Sequence, residues 1–485
     1  MNRVTNKEKT SAFIVVFIIK VILLLIFVHF LSGNDSKKIY SYGGDTLSYI
    51  NPMRNYIEKG SYYVEKNGIH YYAVRPPHYA LLYYTLNKIG FNDNALFNLI
   101  IFFQILISCL SIILLSLLVA DLAKRKYIFY VSVMLLSLTS SMSYFNQFLL
   151  PESIVISFLM ISLYLVHKYY NSKKIVYIFF ASLLMAYCVQ LRPYILLALL
   201  IPYLYIFLLF LKSREYKFLF SHAILSGMAM AIIFVPWTYR NYKIYNTIAP
   251  YDYKLLDYYY GENYEKSIRL AKVKLLRIFG ESDTFWDIKS MSSFFENDTS
   301  EFKQQSLFKF EDNYFSQSVT LKEFNNARNF YLACSDSTLD EKDVTAIKYF
   351  KYLTIKYQDE RPFNYYVFSK VWLIEKMILH NGTYFLPFTF NQVSSYTLLL
   401  KIWKIFEFLL YKLLLLFTFV GIIFSFVKRK KEMIFVLIPI SIIITVIILG
   451  GAEYRFFTLS YPTLYIFSFV GVAEIINAFE KKIVN

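Results

Sequence analysis

Residues 95–119 read ALFNLIIFFQILISCLSIILLSLLV, a run of 25 without one charged side chain. A helix of that length rises about 37 Å, more than the roughly 30 Å of a bilayer's hydrocarbon core. Its polar interruptions are few and uncharged, among them Asn98, Gln104, Ser108, Ser111 and Ser116. The run therefore reads as a membrane-spanning helix.

The pattern recurs along the chain. Nine further stretches have the apolar content of a span: 12–31, 127–144, 153–166, 175–191, 194–211, 218–237, 405–427, 433–449 and 460–476. The expected fold is an all-α polytopic membrane protein with about ten transmembrane helices. Composition agrees, since 57% of the 485 residues are hydrophobic and the mean hydropathy is +0.42. A soluble domain has about 45–50% apolar residues. With 14 Gly and 12 Pro, the chain has few residues that interrupt long helices. Its wealth of Ile, Phe, Tyr, Asn and Lys matches an AT-rich genome. The first stretch is too long for a typical signal-peptide core and lacks a small-residue cleavage site, so it is expected to stay as an anchor.

The net charge is +17. Much of the basic charge sits in short clusters between apolar runs, at Lys124-Arg125-Lys126, Lys168 with Lys173-Lys174, Lys212 with Arg214 and Lys217, and Lys428-Arg429-Lys430-Lys431. Ten spans put all these clusters, and both termini, on one side. The positive-inside rule makes that side cytoplasmic, and this placement argues against nucleic acid as the partner. Cys109, Cys188 and Cys334 fit neither a disulfide framework nor a zinc site.

The expected organisation has three parts. An N-terminal transmembrane bundle covers 1–245, with a first outer loop at 32–94. Residues 246–404 form an extracytoplasmic region of loops and amphipathic helices, and 405–485 form the C-terminal transmembrane helices. In the middle part, Val344, Ile347, Phe350, Leu353 and Tyr357 recur at helical spacing. A second amphipathic run, 363–379, follows Pro362 and is expected at the membrane surface.

Unusual residues collect on the outer face. The first outer loop carries Gly43-Gly44-Asp45-Thr46. Asp45 reads either as the N-cap of a helix with the stripe Leu47, Ile50, Met53 and Ile57, closed by Gly60, or as a general base or metal ligand. Further on, Arg75-Pro76-Pro77-His78-Tyr79 opens a second stripe of Tyr79, Leu82, Tyr83, Leu86 and Ile89. Arg75 reads either as a snorkelling arginine or as the holder of a ligand phosphate. Pro151-Glu152, Arg192-Pro193, Pro236-Trp237 with Arg240-Asn241-Tyr242, and Glu453-Tyr454-Arg455 lie at other outer helix ends. Together these acids and arginines stand at one membrane depth and suit an anionic headgroup. Lys20 is the clearest ionisable group within a span and is expected to snorkel.

These motifs resemble the multi-spanning glycosyltransferases of the C superfamily, above all the protein mannosyltransferase and lipid A aminoarabinose transferase branch. The resemblance rests on Gly44-Asp45-Thr46 with Tyr49, on Arg75-Pro76-Pro77-His78-Tyr79, and on Pro236-Trp237 to Arg240-Asn241-Tyr242. Arg455 before a Pro462-containing last span adds to it. It implies a C-superfamily fold with juxtamembrane helices on the outer face of a cell membrane, a bacterial inner membrane being the expected setting. It also implies an inverting transfer of a sugar from a polyprenyl-phosphate donor to a lipid, glycan or protein hydroxyl. Asp45 and Glu152 would be the catalytic carboxylates, with a divalent cation between them the one cofactor left open. Arg75 and Arg240, then Arg192, Arg455 and His78, would hold the donor phosphate. Two departures stand out: arginine at position 75, where much of the family has lysine, and Glu152 where relatives have Asp. The rival readings are a lipid-linked glycan flippase or transporter, and an O-antigen-type polymerase or ligase.

Overall fold

The computed structural model describes residues 4–31, 38–66, 68–72, 74–248, 268–279, 315–334, 341–380, 382–388, 397–449 and 454–484. Glu453 and most of 246–340 lie outside the described residues. The chain forms two compact units. The first comprises Met1–Tyr253, Asn381–Ser441 and Thr458–Asn485, and the second Lys254–His380 and Ile442–Phe457.

The first unit contains α1 (Asn6–Leu31), α2 (Thr46–Lys59), α3 (Leu81–Lys88), α4 (Asp93–Ala123), α5 (Lys126–Leu138) and α6 (Glu152–Ser172). It continues with α7 (Ile175–Leu191), α8 (Leu200–Ser213), α9 (Tyr216–Tyr245), α10 (Leu398–Val427) and α11 (Tyr461–Val484). Among the described residues the only sheet is a hairpin, in which β1 (Val64–Lys66) pairs antiparallel with β2 (Ile69–Tyr71). Eight helical stretches among the described residues are long and apolar enough to cross a membrane. A ninth span results if α5 and the turns through Gln147 count as one element bent by 76°. The tenth expected segment is α7, a shorter apolar helix of 17 residues. The protein is thus an all-α polytopic membrane protein.

The bent span has a local cause. After α5 comes Thr139-Ser140-Ser141-Met142-Ser143, whose hydroxyls compete with the helical hydrogen-bond ladder. A break at this depth exposes backbone groups that no water can satisfy. Two charged side chains satisfy them. Glu407 of α10 accepts from the Ser140 N–H at 2.8 Å and from its hydroxyl at 2.7 Å. Lys20 of α1 donates to the Met142 carbonyl at 2.9 Å and the Ser143 hydroxyl at 2.8 Å. Lys20 therefore does not snorkel: it is 1% exposed and points into the bundle. The freed carbonyl is a nearer partner than the interface.

The break delivers residues 146–150 to the first outer loop. Ser41 N–H donates to the Gln147 carbonyl at 2.8 Å, and Leu149 N–H donates back to the Ser41 carbonyl at 3.2 Å. Gln104, midway along α4, donates to the Asn146 and Phe148 carbonyls at 3.0 and 3.1 Å. A Cβ on Gly43 would come within 2.6 Å of Leu150, so the missing side chain allows this close approach.

Two other features shape the bundle. Gly421 of α10 and Gly471 of α11 bring backbones into contact, since a Cβ on either would lie 1.9 or 2.3 Å from a carbonyl oxygen of the opposite helix. At the other end, α4, α6 and α8 close on Lys124, Lys173 and Arg214, with φ of 56°, 59° and 58°. Arg429, just past α10, has φ 48°. Glycine is the usual residue in this left-handed conformation. The cations instead place positive charge at helix C-termini, where the macrodipole favours it.

In the second unit, Ile347, Phe350, Leu353 and Tyr357 of Glu341–Glu360 are buried against Leu275 and Phe324, as their spacing predicts. Val344, one turn from the start of that helix, is exposed. After Pro362 the chain takes one wide π turn at Asn364–Phe368 and continues as Ser369–Ile378.

Candidate active site

The geometry of Asp45 bears on its capping role. Asp45 stands at the N-cap position of α2, but its side chain makes no capping bond. Neighbours take over the local hydrogen bonding: Gly43 N–H donates to the Thr46 hydroxyl at 2.8 Å, and the Ser48 hydroxyl donates to the Asp45 carbonyl at 2.7 Å. The Asp45 carboxylate instead faces Arg75, with Oδ1 3.5 Å from the guanidinium. Gly60, at φ +72°, closes α2 as its sequence predicts.

Arg75 arrives from the segment that precedes α3. Its Nε donates to the Ser48 hydroxyl at 3.2 Å, and its guanidinium lies 4.6 Å from the centre of the Tyr49 ring. A second guanidinium, that of Arg192, lies 5.4 Å from the same ring centre and donates to the Tyr49 hydroxyl at 2.5 Å. Its other terminal nitrogen pairs with Glu152 at 2.5 Å. The order across the site is Asp45, Arg75, Tyr49, Arg192, Glu152. Exposure divides this chain into two layers. The side chains of Asp45 and Arg75 are 17% and 11% exposed, those of Glu152 and Arg192 2% and 3%. The first pair keeps contact with solvent, while the second is buried.

Two more expected residues stand beside this chain. Arg240, near the end of α9, donates to the Tyr72 and Tyr62 carbonyls, each at 2.7 Å. The Tyr62 hydroxyl in turn donates to the Arg75 carbonyl at 3.0 Å. Arg240 thus ties both flanks of the hairpin to α9 and reaches Arg75 through Tyr62. His78 is buried with its ring edge-on to Tyr187, whose hydroxyl donates to the His78 carbonyl at 2.7 Å. Burial pushes its pKa down to about 4, against a weaker opposing effect from the Ile233 backbone. Its imidazole is therefore neutral at pH 7. Arg455 lies on the short helix Tyr454–Thr458 and belongs to the second unit.

Sequence reasoning gave no role to Ser48, Tyr62 or Gln104, and used Tyr49 only as part of a motif. Tyr49 carried a signal, because four residues after Asp45 it shares a face of α2 with it. Gln104 carried another, as an amide within an apolar run. The second stripe is only partly buried: Tyr79 and Tyr83 are covered, but Ile89 is exposed, because α3 ends at Lys88. The Tyr79 hydroxyl donates to Gln104 at 3.1 Å and joins the site to the centre of α4.

Residues 74–239 match the family model of the dolichyl-phosphate-mannose-protein mannosyltransferases. The match supports the C-superfamily membrane glycosyltransferase type that the motifs resemble. It contains Arg75, His78, Glu152 and Arg192, stops one residue before Arg240, and begins after Asp45. No curated protein matches the chain.

A divalent cation between Asp45 and Glu152 is the cofactor the sequence motifs leave open. The donor set does not fit one. Asp45 and Glu152 each face an arginine, and among the described residues no group of three or more His, Cys, Asp or Glu side chains converges.

Proposed function

We propose that this glycosyltransferase moves a sugar from a polyprenyl-phosphate donor to an acceptor hydroxyl, with inversion, on the outer face of the membrane. The observation that carries the reading is the partly exposed Asp45–Arg75 pair, in which the carboxylate makes no capping bond and the guanidinium is stacked on Tyr49. The acceptor oxygen attacks the anomeric carbon from the Asp45 side. Its proton passes to the Asp45 carboxylate as the new C–O bond forms. The anomeric carbon–oxygen bond to phosphate breaks, and the electron pair leaves with the polyprenyl phosphate. Arg75 offers that phosphate charge-assisted hydrogen bonds, which count most where charge develops. Arg192 and Glu152 do not touch the reacting atoms in this reading. They position Tyr49, and Tyr49 positions Arg75.

The test is transfer from a purified polyprenyl-phosphate sugar in nanodiscs. Asn retains a helix-capping side chain, so Asp45→Asn separates the two roles of this residue. General-base help is worth about 10²–10⁴ in rate. Asp45→Asn should fold normally and lose a comparable factor; near-normal turnover would return Asp45 to a structural role. A flippase reading draws on the bent span with Lys20 and Glu407. Both groups, however, are engaged with the backbone at the break.

A further inference from the structure

A cavity in the first unit lies far from Asp45. It has a volume of about 1570 Å³ and opens where α4, α6, α8, α10 and α11 end or pass. Tyr170, which lines it, stands 18 residues beyond Glu152 on α6. At 1.5 Å per residue that is about 27 Å along the helix axis, so the cavity and the Asp45 cluster occupy opposite ends of the bundle.

Seven Lys or Arg side chains line this cavity against four carboxylates. Part of that charge is neutralised. Glu474 pairs with Lys428 and Lys430, and Glu480 pairs with Arg125. Lys212 and Lys431 are absent from the ion pairs of the described residues. Instead, both ammonium groups gather on the ring of Tyr170. Lys431 Nζ lies 3.4 Å from the ring centre, and Lys212 Nζ lies 4.9 Å from it and donates to the phenol oxygen at 2.5 Å. Lysines that only face solvent or headgroups spread apart, because like charges repel. These two are held together on one aromatic ring inside a cavity. The Tyr170 oxygen accepts from Lys212, which leaves its own proton to donate outward. Two ammonium groups and a phenol O–H suit the oxygens of a phosphate. Leu208, Ile434 and Val470 line the same cavity and supply an apolar wall.

We propose that this cavity is a second anion site, and that Lys212, Lys431 and Tyr170 hold the phosphate group of an anionic lipid or of a soluble phosphate ester. The site is separate from the transfer site and does not depend on the reading of Asp45.

The test measures binding to the full-length protein in phosphatidylcholine nanodiscs at fixed salt. One arm adds phosphatidylglycerol to the disc, and the other adds glycerol 3-phosphate to the solution. Wild type and Arg75→Ala should bind at least one of these probes equally well. The double variant Lys212→Gln with Lys431→Gln should bind that probe at least tenfold more weakly, and Lys212→Arg with Lys431→Arg should restore it. Binding confined to the first arm assigns a lipid headgroup, and binding in the second assigns a water-soluble ester. Equal affinity in wild type and the Gln double variant would overturn the proposal. So would loss of binding in Arg75→Ala alone, which would assign the phosphate to the transfer site. The Arg double variant guards against misfolding, because it keeps both charges.

Discussion

Arg192 and Glu152 form an ion pair of 2.5 Å with side chains only 3% and 2% exposed, and the same arginine holds the Tyr49 hydroxyl. Removing one partner of a buried pair costs roughly 3–5 kcal/mol, because it strands the other charge. Arg192→Ala should therefore lower yield and thermal stability sharply. The double change Arg192→Met with Glu152→Leu should recover much of the stability and little of the transfer, since Tyr49 loses its anchor. Thermal melts beside transfer rates decide this. Full activity in a stable double variant would remove the pair from the account of the site.

Arg75 and Arg240 should fail in different ways. Arg75 stands in the partly exposed layer, so Arg75→Ala should keep its melting temperature and bind polyprenyl phosphate about tenfold more weakly or worse. One charge-assisted bond of roughly 1.5–3 kcal/mol is enough for that. Arg240 spends its guanidinium on the carbonyls of Tyr62 and Tyr72. Arg240→Ala should instead loosen residues 62–72, seen as faster proteolysis or hydrogen exchange there. An Arg240→Ala protein with a tight hairpin and selectively weak donor binding would reverse the assignment.

His78 gives a pH prediction with a definite sign. Its pKa falls from the ordinary 6.5 to about 4 on folding, because burial disfavours the imidazolium. Between those values the unfolded chain holds more protons, so stability rises with pH across that window and is lost as pH falls through it. The full linkage is about 3 kcal/mol at most, at 1.36 kcal/mol per unit. His78→Gln should flatten the decline in melting temperature between pH 6.5 and 4. An unchanged slope would show that the imidazole is not the responsible group.

Lys20 should matter to the site from a distance. Lys20→Met strands the Met142 carbonyl inside the bundle, at a cost of roughly 1–3 kcal/mol. The break leads directly to Gln147 and Leu149, which pair with Ser41. Transfer by Lys20→Met should fall along with stability, measured by melting in detergent and by turnover. Glu407→Gln keeps an acceptor for the Ser140 N–H and should be milder.

Much of this was legible in the sequence for a physical reason. Membrane spans are set by length and hydropathy, which are local, so each expected span falls on helix, with the one at 127–144 broken after Leu138. The buried stripe from Ile347 to Tyr357 followed from period alone. Pairings across the chain were not legible. Nothing local to Lys20 tells that a carbonyl 122 residues later lacks a partner. Asp45 shows the same limit: its sequence suits a cap, and only the positions of Thr46, Ser48 and Arg75 show that the carboxylate is turned elsewhere. Arg240 looked like Arg75 in sequence, because both are arginines beside aromatics at a helix end. What separates them is the hairpin whose carbonyls Arg240 meets.

The cationic residues that close α4, α6 and α8 put two demands in opposition. Lys124, Lys173 and Arg214 sit in a backbone conformation that costs an ordinary L-residue about 1–2 kcal/mol and glycine almost nothing. Replacement by glycine would thus make the folded protein tougher at each point. It would also remove positive charge from three short loops between spans, and charge in such loops is what orients a nascent helix. Selection for stability alone would favour glycine at all three positions. Lysine and arginine at these positions fit a chain shaped by the moment of its insertion as much as by its final resting state.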